Sequence, residues 1–313
     1  NLYGQNGVGK RLQVKHFSKY FNQSIMFVDL KSTEKTTVDF HVLANKVCRE
    51  SILQQAIICF YNFDAVMDNS SESNEKVRIL FNSLNTFSRI IFILSEKLWS
   101  PKNKPNNYLF INIAIESPDS SIRKHLWNKF GEDYSFDKDV DLAAISNKFH
   151  FTPKQIKTAL EDAYNTSLLN SEGKISTDML HNSCYKQVSH NLQNKASLIK
   201  PVYTWNDLIL PEEQMKVLTN ACNQVKYRHI VFGDWGFEKK LSYGKGLSML
   251  FSGPPGTGKT MSAQVVANDL HLEMYKVQLS QVVSKYIGET EKRLKIIFDE
   301  CDRANFLLLI DEC

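Results

Sequence analysis

The run Gly253, Pro254, Pro255, Gly256, Thr257, Gly258, Lys259, Thr260 constrains this chain more than anything else in it. It fits the pattern G-x-x-x-x-G-K-T. An apolar stretch at 247–251 that reads as a strand precedes it, and a helical pattern at 261–270 follows. Strand, tight loop and helix together predict an α/β unit on a parallel sheet. The glycines leave room for backbone N–H groups to turn inward and wrap a β-phosphate, and the helix N-terminus adds partial positive charge. Lys259 is placed to reach the β- and γ-phosphates of ATP, and the Thr260 hydroxyl to coordinate Mg²⁺, with Met261 completing the cradle. A glycine turn of purely structural purpose has no need of all four fixed positions in that setting.

A second element supplies the remaining chemistry. Phe306, Leu307, Leu308, Leu309 and Ile310 lead into Asp311 and Glu312. This predicts a buried parallel strand whose carboxylates emerge at its C-terminal edge. Asp311 is the candidate to hold Mg²⁺ through water, and Glu312 the candidate to orient and deprotonate the attacking water. Alone, such an acid pair is usually a solvated strand end. With the loop upstream it points to nucleotide hydrolysis, with Glu312 and Lys259 as the catalytic pair.

The chain opens with a partial copy. Gly4, Gln5, Asn6, Gly7, Val8, Gly9, Lys10 and Arg11 keep G-x-x-x-x-G-K but put Arg11 where Ser or Thr would meet the metal. Ile25 follows Lys10 by 15 positions, as Met274 follows Lys259, and each opens a strand pattern (25–30 and 274–278). Tyr61 follows Lys10 by 51 positions, and Asp311 follows Lys259 by 52. Two halves with one layout are an internal repeat. In the first half the strand at 57–60 ends on Tyr61 and Asn62, neither of them a carboxylate, and Asp64 comes three residues late. The next strand, 90–94, leads to Ser95 and Glu96, and no Arg occurs between Arg89 and Arg123. Gly7, Gly9 and Lys10 keep the residues that hold phosphate. The first copy is therefore expected to be a structural or nucleotide-holding module without turnover.

Between the copies the apolar period becomes helical. Ile122, Leu126 and Phe130 recur at four-residue steps within 118–130, and Leu142, Ile145 and Phe149 line a second helix. Thr152, Pro153 and Gln155 form a capping box that starts a third, with Ile156, Ala159, Leu160, Ala163 and Tyr164 inward. Leu180, Cys184, Val188 and Leu192 mark a fourth. Residues 194–204 read as a linker, and another helix starts at Pro211 with Glu212 and Glu213 at its positive end.

Composition narrows the remaining classes. The net charge of +4, from 38 basic and 34 acidic residues, is too slight and scattered for a nucleic-acid surface. No apolar run has the length of a membrane span. Six cysteines (Cys48, Cys59, Cys184, Cys222, Cys301, Cys313) without a C-x-x-C pair fit a reduced, cytoplasmic protein. His181, Cys184 and His190 match no zinc spacing, and Cys184 falls on an apolar helix face. The chain has no initiator Met and stops one residue past Glu312, so a fragment cut at both ends is expected.

These residues resemble the AAA ATPases, and within them the bacterial tandem AAA proteins related to the Cdc48-type unfoldases. The resemblance is carried by 203–211 (YTWNDLILP), 235–237 (WGF), the loop at 253–260, 282–291 (VVSKYIGETE) and the pair Asp311 and Glu312. It implies a P-loop NTPase fold: a three-layer α/β parallel sheet in tandem modules with an all-helical lid between them. The expected boundaries are a degenerate first core at 1–115, its lid at 116–193, a linker at 194–204 and a second core at 205–313. In similar proteins an aromatic–aliphatic–Gly loop such as Tyr286, Ile287 and Gly288 projects into a ring pore and grips an extended chain. The resemblance thus implies an ATP- and Mg²⁺-dependent hydrolase that remodels or unfolds a protein threaded past Tyr286, in a homo-oligomeric ring, a hexamer. It implies neither membrane nor nucleic acid as partner. A nucleotide-dependent assembly scaffold and a DNA-transaction AAA protein are the alternatives.

Overall fold

A computed structural model describes residues 1–33, 39–67, 70–84, 90–101, 109–170, 173–192, 196–227, 231, 235, 246–278 and 289–311. The chain forms two compact units, Asn1–Leu126 with Phe151–Thr158, and Trp127–His150 with Ala159–Cys313.

The first unit carries β1 (Leu2–Tyr3), α1 (Lys10–Phe21), β2 (Ile25–Asp29), a short α2 (Leu30–Thr33), α3 (Phe40–Leu53), β3 (Ile57–Tyr61), α4 (Ser71–Leu84), β4 (Ile91–Ser95) and β5 (Ile113–Ala114). These strands form one five-stranded sheet in the order β2-β3-β4-β1-β5, every pair parallel. Parallel strands need covering on both faces, and β3 shows it: Ile57, Ile58, Cys59 and Phe60 are all buried. Strand alternation sends Ile58 and Phe60 into a cluster with Ala44, Cys48, Leu80 and Leu84, and Cys59 into another with Val14 and Leu94. Burial pushes the Cys59 thiol up to about 12. The expected strand at 25–30 ends one residue early because Leu30 turns into α2 and is buried there.

The helical stretch holds α5 (Ser120–Gly131), α6 (Leu142–Lys148), α7 (Pro153–Leu169) and α8 (Thr177–Leu192). Half of the expected capping box forms, with Gln155 Oε1 accepting from the Thr152 backbone N–H and from its hydroxyl, each at 3.0 Å. Ile156, Ala159, Leu160 and Ala163 are fully buried. On α5 the expected face is wrong by one position. Ile122 is 51% exposed, whereas Arg123 and Trp127 are buried. Two four-step stripes lie one residue apart there, and the large indole of Trp127 claims the interior. Arg123 follows it by donating to the Pro118 carbonyl at 3.1 Å, so its charge is not left without a partner. Leu180 and Cys184 of α8 are fully buried as expected; the side chains of Val188 and Leu192 lie outside the described residues.

The remaining elements are β6 (Ser197–Ile199), α9 (Glu212–Lys226), α10 (Lys259–Asp269), β7 (Met274–Gln278), α11 (Glu289–Ala304) and β8 (Leu307–Asp311). Their sheet runs β6-β7-β8, with β7 and β8 parallel and β6 antiparallel to β7. Part of the expected linker is therefore strand. The stretch 247–251, expected as a strand, has no strand pairing among the described residues. In the first unit the strand before the loop pairs with β4 and β5, both later in sequence than β3. α8 packs in the same compact unit as β7 and β8: the Tyr185 ring stacks on Phe306 (centroids 6.0 Å), which meets Tyr275 at 4.5 Å. Among the described residues no helix is long and apolar enough to cross a membrane.

Candidate nucleotide site

Gly253, Gly256 and Gly258 hold φ of +155°, +79° and +84°, a region that L side chains rarely adopt. A Cβ on Gly256 or Gly258 would meet nothing within 4 Å. Backbone direction, not space, fixes glycine there. Gly258 caps α10 from the left-handed region. The Lys259 ammonium folds back across the loop and donates to the carbonyls of Gly253 (2.9 Å) and Pro254 (2.8 Å). Thr257 Oγ1 donates to the Pro254 carbonyl at 2.9 Å. The loop is thereby braced by its own side chains, with Pro255 and Thr260 exposed on it. Met261 turns inward instead and packs against the cluster of Leu208, Leu218, Cys222, Val265 and Val266. Only its backbone remains for a phosphate.

Asp311 closes β8 opposite Gln278. Its Oδ2 lies 2.6 Å from the Lys276 ammonium, so the carboxylate already takes a cation as partner. Lys276 was not among the expected site residues; a lone Lys amid the apolar alternation of β7 was the signal for it. The Thr260 hydroxyl and the Asp311 carboxylate are hard oxygen donors of the kind that Mg²⁺ requires. Leu307, at the start of the Asp311 strand, joins the same cluster as Met261. Glu312 and Tyr286 lie outside the described residues.

The first loop repeats the backbone. Gly4, Gly7 and Gly9 have φ of +151°, +87° and +101°, and Lys10 donates to the carbonyls of Gly4 and Gln5. Burial lowers the Lys10 pKa, against the opposing pull of Glu96 and Asp64. The side chains around it depart from the second site. The Arg11 guanidinium lies 4.3 Å from the centroid of the Tyr61 ring and 4.8 Å from that of Phe27. Asn62 donates to Asp29 Oδ1 at 2.7 Å, and Asp64 accepts from the backbone N–H groups of Glu96 and Lys97. No hydroxyl and carboxylate stand in the positions of Thr260 and Asp311, so this set does not fit Mg²⁺.

Comparison with known proteins gives a family match over the second site and relatives of differing extent. Residues 249–313 match the family described as the ATPase family associated with various cellular activities (AAA). An uncharacterized AAA family ATPase of Sinorhizobium fredii is 30% identical over 114 residues, 36% of this chain and 32% of that protein. The peroxisomal ATPase PEX6 of Dictyostelium discoideum is 22% identical over 97% of this chain and 28% of its own length. A cell division cycle protein 48 homolog of Archaeoglobus fulgidus is 43% identical over 65 residues, 20% of this chain and 9% of that protein. The chain thus spans about a third or less of the length of these relatives. The glycine geometry of the second loop, the strand that ends on Asp311 and the family match agree: residues 249–313 of this chain are similar to the AAA ATPases.

Proposed function

We propose that the protein to which this chain belongs binds ATP at Gly253, Gly256, Gly258, Lys259 and Thr260 and hydrolyses it, as an oligomeric AAA remodeller of protein substrates. The observation that carries the reading is the braced loop, whose three left-handed glycines and folded-back Lys259 suit a phosphate chain. Thr260 and Asp311 would hold Mg²⁺, which supplies charge neutralisation at the β- and γ-phosphates. Lys259 would neutralise the same oxygens from the loop side. Glu312, next to Asp311 in sequence, would take the proton of the attacking water. The cores at 1–115 and 205–313, the lid at 116–193 and the linker at 194–204 would be the working parts of each subunit. A homo-oligomeric ring, hexameric and cytoplasmic, and a chain gripped by Tyr286 complete the proposal.

Two substitutions in the full-length protein test it. Glu312→Gln preserves shape and removes the base, so ATP should bind with wild-type affinity while turnover falls at least a hundredfold in single-turnover assays. Near-normal turnover would assign the base elsewhere. Tyr286→Ala should spare ATP binding and basal hydrolysis but abolish unfolding of a tagged protein substrate. Unfolding at the wild-type rate would remove threading from the proposal and favour a scaffold that nucleotide merely assembles.

A further inference from the structure

We propose that the first loop holds the phosphate chain of a nucleotide without Mg²⁺, the Arg11 guanidinium serving as the resident cation. This rests on reading Gly4 to Lys10 as a phosphate loop, within the function proposed above. Strand register supplies the equivalence. β2 pairs with β3 from Ile25 opposite Ile57 to Asp29 opposite Tyr61, and β7 pairs with β8 from Met274 opposite Leu307 to Gln278 opposite Asp311. Tyr61 therefore occupies the position of Asp311, Phe27 that of Lys276, and Arg11 follows the loop lysine as Thr260 does. The two expected metal ligands are replaced together, and their replacements touch each other: Arg11 lies over the Tyr61 ring at 4.3 Å.

The chemistry of the exchange is coherent. Thr260 and Asp311 offer oxygen to a divalent cation, whereas Arg11 is itself a permanent cation that repels one. The Arg11 guanidinium carbon lies over the rings of Tyr61 and Phe27, and a ring contact consumes none of the hydrogen-bond acceptors that phosphate oxygens would supply to it. Of the carboxylates near the loop, Asp29 is engaged by the Asn62 amide and Asp64 by the backbone after β4, while Glu96 acts on Lys10. What remains unchanged is the cradle: three glycines at φ of +151°, +87° and +101°, a left-handed Gly9 capping α1, and Lys10 folded onto the loop carbonyls.

The test is calorimetric titration of ATP into the full-length protein carrying Lys259→Ala, which silences the second loop. It is run once in Mg²⁺ and once in excess EDTA. One equivalent should still bind, with affinities in the two buffers within about threefold, and adding Lys10→Ala should abolish it. Adding Arg11→Gln should weaken binding in EDTA at least tenfold, and Arg11→Lys should restore most of it. Retained thermal unfolding of each variant separates a lost site from a lost fold. Binding that is tenfold tighter in Mg²⁺ would overturn the metal-free site while leaving the phosphate-loop reading intact. No binding in either buffer would overturn both for the first loop. The second site is judged separately, by ATP binding to Lys10→Ala protein with Lys259 intact.

Discussion

The two loops of this chain have the same backbone and different surroundings. Each places three glycines at matching left-handed φ values, each starts a helix from a left-handed glycine, and each folds its lysine onto the first two loop carbonyls. They diverge one residue beyond the lysine and at the end of one strand. Thr260 and Asp311 in the second are Arg11 and Tyr61 in the first. The comparison separates two tasks usually seen together. Cradling a phosphate chain is done by backbone and one lysine; handling a metal is done by two side chains that can be exchanged without altering the cradle.

The largest effect that would break the comparison is at the lysines. Lys259→Ala should lower Mg²⁺-dependent ATP binding a hundredfold or more, while Lys10→Ala should remove only the metal-independent component. Equilibrium dialysis of both variants against labelled ATP, with and without Mg²⁺, checks the pairing. Equal losses in both buffers would make the two loops chemically alike.

A smaller effect should appear at the first glycines. Gly4 and Gly253 share nearly the same φ, but a Cβ on Gly4 would lie 2.1 Å from the Ile115 carbonyl oxygen, and one on Gly253 would lie 3.2 Å from the Thr257 hydroxyl. A backbone carbonyl next to β5, whose residue is held by its own N–H donating to the Tyr3 carbonyl at 2.7 Å, cannot step aside as a hydroxyl can. Gly4→Ala should therefore cost about 3 kcal/mol or more, and Gly253→Ala about 1–2 kcal/mol. Urea unfolding of the two variants gives the order directly.

The smallest effect concerns pH. Burial, helped by the charges of Lys148 and His271 and opposed by Asp178, brings His181 in the second unit down to about 4 from 6.5. The fold favours the neutral ring, so its contribution is intact above 6.5 and is lost as pH falls from 6.5 toward about 4. Solvent screening at this half-exposed site reduces the loss to the order of 1 kcal/mol. Hydrogen exchange should show α8 losing protection in that window ahead of α3, and His181→Asn should flatten the slope.

The first unit shows how much of this was legible. The 15-residue step from loop lysine to next strand, and the apolar run ending at Tyr61, locate β2 and β3 from sequence alone. Capping at Thr152 and the buried face of α7 were equally readable, because each depends on neighbours a few residues away. What failed depended on distant partners. The face of α5 is decided by the bulk of Trp127, and 247–251, unlike its counterpart β1, has no strand pairing among the described residues. At the candidate site, the positive-φ glycines and Asp311 at the end of β8 are readable from sequence, whereas Lys276 and the ring pair near Arg11 need the strand register to bring them to their partners.

One short element has a consequence for solubility. A parallel pair such as β7 and β8 leaves one margin of β7 with open N–H and C=O groups, a template on which another chain can add. Ser197, Leu198 and Ile199 occupy that margin, with Ser197 Oγ also donating to the Lys276 carbonyl at 3.3 Å. Three residues that sequence alone would treat as spacer thus shield that margin of β7 from self-association, and exchanging them for glycine and serine would invite aggregation of a protein whose phosphate loops were untouched.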